Sequence, residues 1–108
     1  MLLDSCQATV YIIGVIKSFK NKGLKEFAAS GNARKLSVQN SERVRRILLA
    51  LDDATNPETM NQPGYKFHGL TGNRKGQCSV WVSGNYRITF SFEGEDAVDV
   101  DLEDYHGK

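Results

Sequence analysis

The spacing of apolar residues changes from a helical period to a strand period at Pro63-Gly64, and this change restricts the chain to few folds. Upstream, residues 23–30 carry apolar residues three and four positions apart, and so does a segment that runs from a cap at Ser37 or Ser41 through Asp52. Downstream, four runs alternate apolar and polar residues. This order predicts an α+β domain, with two N-terminal helices packed on one face of a small, mainly antiparallel sheet.

Short polar segments join the predicted elements. Residues 83–85 and 94–96 are predicted hairpin turns, residues 56–59 begin a short helical turn, and residues 15–19 are a short strand candidate. At 108 residues the chain forms one domain. No stretch approaches the roughly 18 consecutive apolar residues of a membrane span, so no membrane partner is expected.

Residues 1–14 precede the regular pattern and are predicted to be an extension of a domain at residues 15–108. Their apolar part, residues 10–13, is too short for a signal peptide and follows no basic residue. The extension could add a strand, remain a flexible tail, or result from a start codon assigned too far upstream.

The charges of the chain are divided unevenly along its length. Residues 1–92 contain 13 Lys and Arg against 6 Asp and Glu, a net charge of +7, whereas residues 93–108 contain 7 acidic residues and 1 Lys, a net charge of −6. A basic body suits a polyanionic partner. Cys6 and Cys78 fit no metal-binding spacing, and two histidines do not complete a zinc site. We therefore expect no metal or cofactor, and two reduced thiols in a cytoplasmic protein.

The polar face of the predicted sheet carries groups suited to RNA chemistry. Strand alternation places Lys66, His68 and Arg87 on that face, and extending the last strand adds Tyr105, while His106 falls outside the regular alternation. Cleavage of RNA by its own 2′-hydroxyl needs a base, an acid and a cation that stabilises the phosphorane. Histidine suits either proton transfer, and arginine matches phosphate. Because Arg87 lies on the polar face, its removal leaves no cavity in the core and is expected to cost little stability.

Two further basic areas are candidates for RNA contact. Arg74 and Lys75 lie in a glycine-bounded loop at residues 72–76, where cations and backbone amides could hold phosphate. Arg43 and Arg46 lie on the second predicted helix, beside Arg45. A plain solvated loop and a plain solvated helix face remain the alternatives.

Five segments together resemble HigB-type toxins of the RelE/ParE superfamily, and the match runs from about Val15 to His106. The segments are Ile16-Lys17-Ser18-Phe19, Gly23-Leu24-Lys25, Phe67-His68-Gly69-Leu70-Thr71-Gly72-Asn73-Arg74-Lys75-Gly76, Asn85-Tyr86-Arg87-Ile88-Thr89-Phe90 and Glu103-Asp104-Tyr105-His106. The resemblance implies a compact RelE-like domain with a curved sheet, and ribosome-dependent cleavage of mRNA that arrests growth. It also implies a HigA-like helix-turn-helix antitoxin as partner.

Carried over by position, the catalytic residues of the family fall on His68, Arg87, Asp104, Tyr105 and His106 in this sequence. Thr71 stands where some members have lysine, so Arg74 or Lys75 would have to supply that cation. The initiating methionine of the family aligns with Val15, in agreement with an extension before it. The resemblance leaves two alternatives: a ParE-like protein that poisons DNA gyrase without catalysis, and an inactive toxin that acts only in regulation of its operon.

Overall fold

The computed structural model describes residues 16–36 and 38–104. Within them, helix α1 spans Lys22–Ser30 and helix α2 spans Ser41–Asp53, with single 3-10 turns at Pro57–Met60 and Gly72–Arg74. The strands are β1 (His68–Gly69), β2 (Cys78–Ser83), β3 (Tyr86–Glu93) and β4 (Asp96–Asp104), and they pair antiparallel in that order. The predicted α+β class and both hairpin turns are confirmed. No helix in this part of the chain is long and apolar enough to cross a membrane.

Asparagine side chains begin both helices. The Asn21 side-chain oxygen accepts a hydrogen bond from the Leu24 backbone N–H at 2.9 Å, and the Asn40 oxygen accepts one from the Arg43 N–H at 3.2 Å. The predicted serine cap of the second helix is therefore wrong. Ser41 is already helical, and Asn40 caps as well as serine does because its oxygen reaches the same orphan N–H group.

Two predicted strands are shorter in the structure than the alternation suggests. Lys66 adopts a left-handed backbone with φ of 51°, which interrupts the extended run and leaves β1 only two residues long. Near the start of the described chain, Phe19 forms an isolated parallel bridge with Val100, and Lys17 N–H donates to the Ala97 carbonyl at 2.9 Å. Residues 16–19 thus follow the outer edge of β4 without forming a regular strand.

Helices and sheet share one hydrophobic core. Leu24 and Phe27 of α1 and the apolar stripe of α2 are buried, and the residues of the sheet buried in the same cluster are Val80, Val82, Ile88, Phe90, Ala97, Val100 and Leu102. Because side chains alternate along a strand, the residues between these point to the opposite, outer face of the sheet. The outer face therefore carries the polar residues that the sequence analysis assigned to it.

Strand register arranges the outer face in two rows. Trp81 lies opposite Arg87, and Arg87 lies opposite Glu103. In the second row His68 pairs with Ser79, Ser79 with Thr89, and Thr89 with Asp101. The β2–β3 register shifts between Trp81 and Ser83, and the β3–β4 register shifts between Thr89 and Ser91. Neither bulge lies between Arg87 and its two partners, so the predicted direction of Arg87 is retained.

Candidate functional site

A cavity of about 190 Å³ opens on the outer face, beside the β2–β3 turn. Its lining residues come from the segment before β1, from β1, β2 and β3, and from the β2–β3 turn, and they are Lys66, His68, Ser79, Trp81, Gly84, Asn85, Tyr86 and Arg87. The structure thus brings together Lys66, His68 and Arg87, as strand alternation predicted. Trp81 and Tyr86 also line the cavity, although neither was among the predicted site residues. Strand alternation, which puts Trp81 on the outer face, was the signal for the first of them.

Arg87 is a buried residue of this outer face, and its side chain is only 11% exposed. Ser79 and Thr89 in the neighbouring row are buried as well. Arg87 thus lies on the outer face as predicted but is buried there, so we now expect its removal to cost more stability than a position on the polar face suggested. A partly desolvated guanidinium interacts more strongly with a phosphate than one in bulk water.

His68 is exposed, and its ring is oriented by a backbone contact. The Nδ1 atom lies 3.3 Å from the Lys66 carbonyl oxygen. A carbonyl only accepts hydrogen bonds, so this contact is a hydrogen bond in the tautomer that carries its proton on Nδ1. In that tautomer Nε2 has a free lone pair, which is what a general base uses.

Lys66 occupies the rim of the cavity with an unusual backbone. Its φ of 51° directs the carbonyl toward the His68 ring, and its Nζ lies 4.7 Å from the centroid of the Trp81 ring. A left-handed backbone at a residue other than glycine is uncommon and costs free energy. The conformation therefore requires support from its surroundings, and the contact of Nζ with Trp81 is one such support.

Arg74 lies in an ion pair with Glu103 rather than in solution. Arg74 Nη1 donates to Glu103 Oε1 at 2.9 Å, and Arg74 Nη2 donates to Glu103 Oε2. The Thr89 hydroxyl donates to Oε2 at 2.8 Å, and Arg87 Nη2 lies 3.7 Å from Oε1. The hydrogen bonds from Arg74 hold the pKa of the Glu103 carboxyl below its ordinary value. Glu103 was not among the predicted site residues, although its register beside Arg87 places it there.

Arg43 and Arg46, both predicted to contact RNA, have different surroundings. The guanidinium of Arg43 lies 5.3 Å from the Tyr65 ring centroid and 5.1 Å from that of Trp81. It donates to the carbonyl oxygens of Gly64 at 2.8 Å and Trp81 at 3.3 Å. Arg46 is 67% exposed and lies 3.5 Å from the Glu42 carboxylate. Lys75, at the end of the 72–76 loop, is exposed too.

The C-terminal part of the predicted site is only partly described. Asp104 is exposed at the end of β4 and lines a second cavity, of about 550 Å³, together with Gln39 and Asn40 at the start of α2. The two cavities share Gly84, Asn85 and Tyr86. His68 and Asp104 therefore line adjacent cavities that meet at the β2–β3 turn. Tyr105 and His106 lie outside the described residues. Across 16–36 and 38–104, no cluster of His, Cys, Asp and Glu could hold a metal ion.

Comparison with known proteins identifies close relatives of the chain. Residues 17–106 match the family model described as the RelE-like toxin of the type II toxin–antitoxin system HigB. The chain is 42% identical over 92 residues to the endoribonuclease HigB of Proteus vulgaris, which covers 85% of this chain and all of that protein. It is 33% identical over 76 residues to the toxin HigB-1 of Vibrio cholerae serotype O1, covering 68% of this chain and 80% of that protein.

Proposed function

This chain belongs to the HigB family of RelE-like toxins of type II toxin–antitoxin systems, and we propose that it arrests translation by cutting mRNA on the ribosome without a metal ion. One observation carries the proposal: His68 and the partly desolvated Arg87 line a single cavity on the outer face of the sheet. The same cavity has the aromatic side chains of Trp81 and Tyr86, on which a base could stack. Proton transfer, charge stabilisation and base contact thus have side chains within one small volume.

The proposed reaction uses the 2′-hydroxyl of the RNA as nucleophile. A base removes the 2′ proton, the 2′ oxygen attacks the adjacent phosphorus, and an acid protonates the departing 5′ oxygen. The products are a 2′,3′-cyclic phosphate and a 5′-hydroxyl. His68 and His106 share the two proton transfers, and Arg87 stabilises the charge of the phosphorane. Tyr105 positions or stacks on a base, and Asp104 orients a neighbouring group.

As a toxin of a type II system the protein has an antitoxin partner, which we take to be a HigA-like helix-turn-helix protein. We take the sheet to be curved as in RelE-like toxins, and the protein to act in the cytoplasm.

Ribosomal RNA is the proposed docking partner, and exposed cations such as Lys75 and Arg46 would contact it. Docking through phosphates weakens with salt, and removing one cation that binds a phosphate lowers the log–log salt slope by about one.

The test is mRNA cleavage on ribosomes programmed with a defined message, followed by primer extension. Arg87→Met keeps an apolar stem in the buried position while removing the charge, and we expect it to lower the cleavage rate by about 10² to 10³-fold. His68→Gln is expected to lower it by about 10²-fold. Arg45→Met is the matched control, since Arg45 pairs with Glu42 on α2 and does not line the cavity.

Two results would contradict the proposed function. One is wild-type cleavage by folded Arg87→Met protein, with folding checked by thermal unfolding of each variant. The other is cleavage of a message that carries a 2′-deoxy substitution at the cut site, because that substrate has no nucleophile. A parallel supercoiling assay with DNA gyrase tests the non-catalytic alternative.

A further inference from the structure

Ser79 lies at the floor of the cavity on the outer face. It is the cross-strand partner of His68 in the β1–β2 ladder, so the two side chains leave the sheet on the same face. Ser79 is only 1% exposed, yet it is one of the residues that line the cavity. A lining residue that is almost completely buried belongs to the floor of an open cavity rather than to its rim.

The Ser79 hydroxyl has no hydrogen-bond partner within residues 16–36 and 38–104. Its neighbour in the same row differs: Thr89 is equally buried, and its hydroxyl donates to Glu103 Oε2 at 2.8 Å. A buried hydroxyl costs free energy unless it is hydrogen-bonded. The partner of the Ser79 hydroxyl therefore comes from the cavity, as water in the free protein and as a bound molecule once the cavity is filled.

The other groups around the cavity favour an anion as that bound molecule. Lys66 and Arg87 bring positive charge to the lining, and among the described residues no Asp or Glu lines it. A hydroxyl donates readily to a phosphate oxygen, and a hydrogen bond to a charged acceptor is stronger than one to a neutral acceptor. The argument concerns the hydroxyl of Ser79 and is the same whichever groups Arg87 engages.

We propose that Ser79 binds the phosphate at which the RNA is cut, with its hydroxyl donating a hydrogen bond to a non-bridging oxygen. The proposal rests on the function proposed above, because that function brings an RNA phosphate to this cavity. The hydrogen bond holds the phosphate at the floor of the cavity, next to His68 across the β1–β2 ladder. Ser79 forms no covalent bond with the RNA and transfers no proton. Its role is to fix the position of the reacting group.

Tryptophan fluorescence measures binding in this cavity without ribosomes, because Trp81 is the only tryptophan of the chain and is one of the lining residues. Titration of the purified protein with inorganic phosphate is expected to change this fluorescence. Ser79→Ala keeps a small side chain and removes only the hydroxyl, and we expect it to raise the Kd for phosphate by about tenfold. Adenosine has no phosphate and is expected to give the same titration with both proteins.

The matched control is Thr89→Val, which removes the neighbouring buried hydroxyl. That hydroxyl already donates to Glu103, and Thr89 does not line the cavity. Thr89→Val is therefore expected to lower the urea midpoint and to leave the Kd for phosphate unchanged. Ser79→Ala is expected to leave the urea midpoint unchanged or to raise it, because no described residue loses a hydrogen bond. A general loosening of the sheet would not separate the two variants in this way.

Single-turnover cleavage on programmed ribosomes supplies the second measurement. Ser79→Ala is expected to cut about tenfold more slowly than the wild type. Sulfur accepts hydrogen bonds more weakly than oxygen. A message with sulfur in place of the contacted non-bridging oxygen should therefore be cut more slowly by the wild type, and the substitution should add little to the defect of Ser79→Ala, because both changes remove the same hydrogen bond.

Four results would overturn the inference. They are a wild-type protein that does not respond to phosphate, equal phosphate affinity of wild type and Ser79→Ala, adenosine binding that Ser79→Ala weakens, and a sulfur effect as large in Ser79→Ala as in the wild type. Wild-type protein that binds phosphate through Ser79 but fails to cut mRNA would instead refute the proposed function, and the phosphate titration would still establish the role of Ser79.

Discussion

Arg43 is predicted to stabilise the fold, and its removal is the sharpest test of how the outer face is held in shape. In Arg43→Ala the guanidinium is absent, and with it go the interactions with the Tyr65 and Trp81 rings and the hydrogen bonds to two carbonyl groups. Each ring interaction contributes about 0.5–1 kcal/mol and each charged hydrogen bond about 1.5 kcal/mol. Because all of them depend on one group, they do not add fully. We therefore expect the free energy of unfolding to fall by about 2–3 kcal/mol.

Urea unfolding of the purified protein measures this decrease, and a fall in Tm of roughly 10 °C should accompany it in a domain of this size. Arg46→Ala is the control on the same helix, since Arg46 is 67% exposed and its removal should change stability by less than about 0.5 kcal/mol. Ribosome co-sedimentation of both variants separates folding from RNA contact. An Arg43→Ala protein of wild-type stability that fails to bind ribosomes would refute this reasoning and support the RNA role predicted from the sequence.

Three other predictions concern stability and the chain start. Gly23→Ala should lower the free energy of unfolding by about 1–3 kcal/mol, because its Cβ would lie 2.3 Å from the Lys35 carbonyl oxygen. Gly69→Ala is the control in urea unfolding, since a Cβ at Gly69 would meet nothing closer than 4.0 Å. The pKa of Glu103 is lower in the folded protein than its ordinary value of 4.5. Glu103 therefore stabilises the fold at pH values above 4.5, and this stability is lost as the pH falls through the folded-state pKa. Glu103→Gln should accordingly make the urea midpoint less dependent on pH in the acid range. A chain that begins at Val15 should fold and cut mRNA like the full chain, and loss of either property would show that residues 1–14 are required.

Local signals predicted most of the fold. Both helices and both hairpins form where the period and the turn residues placed them, since these features depend on neighbours within a few positions. The cap of α2 was assigned to Ser37 or Ser41 instead of Asn40, because serine and asparagine are both good capping types. The strand expected at residues 65–68 was shortened by the backbone of Lys66. Its φ of 51° interrupts the extended run, and no local pattern in the sequence indicates it.

In the candidate site, too, local features were predicted and long-range contacts were not. Alternation along strands placed His68 and Arg87 on one face correctly, because the direction of a side chain is a local property of a strand. Alternation does not predict what covers that face. Arg74 and Glu103 are 29 residues apart, and their pairing depends on the fold of the chain between them, which no local pattern contains.

Alternation therefore predicted the face of Arg87 but not its burial: the side chain is only 11% exposed, and the opposite charge beside it comes from Glu103 on β4. Desolvation changes what the same residues can do. An exposed Arg87 would be one cation among many on a basic surface, whereas a buried Arg87 would, under the proposed function, interact more strongly with a phosphate. Under that proposal, the chemistry of the site depends on the burial of the arginine as well as on its charge.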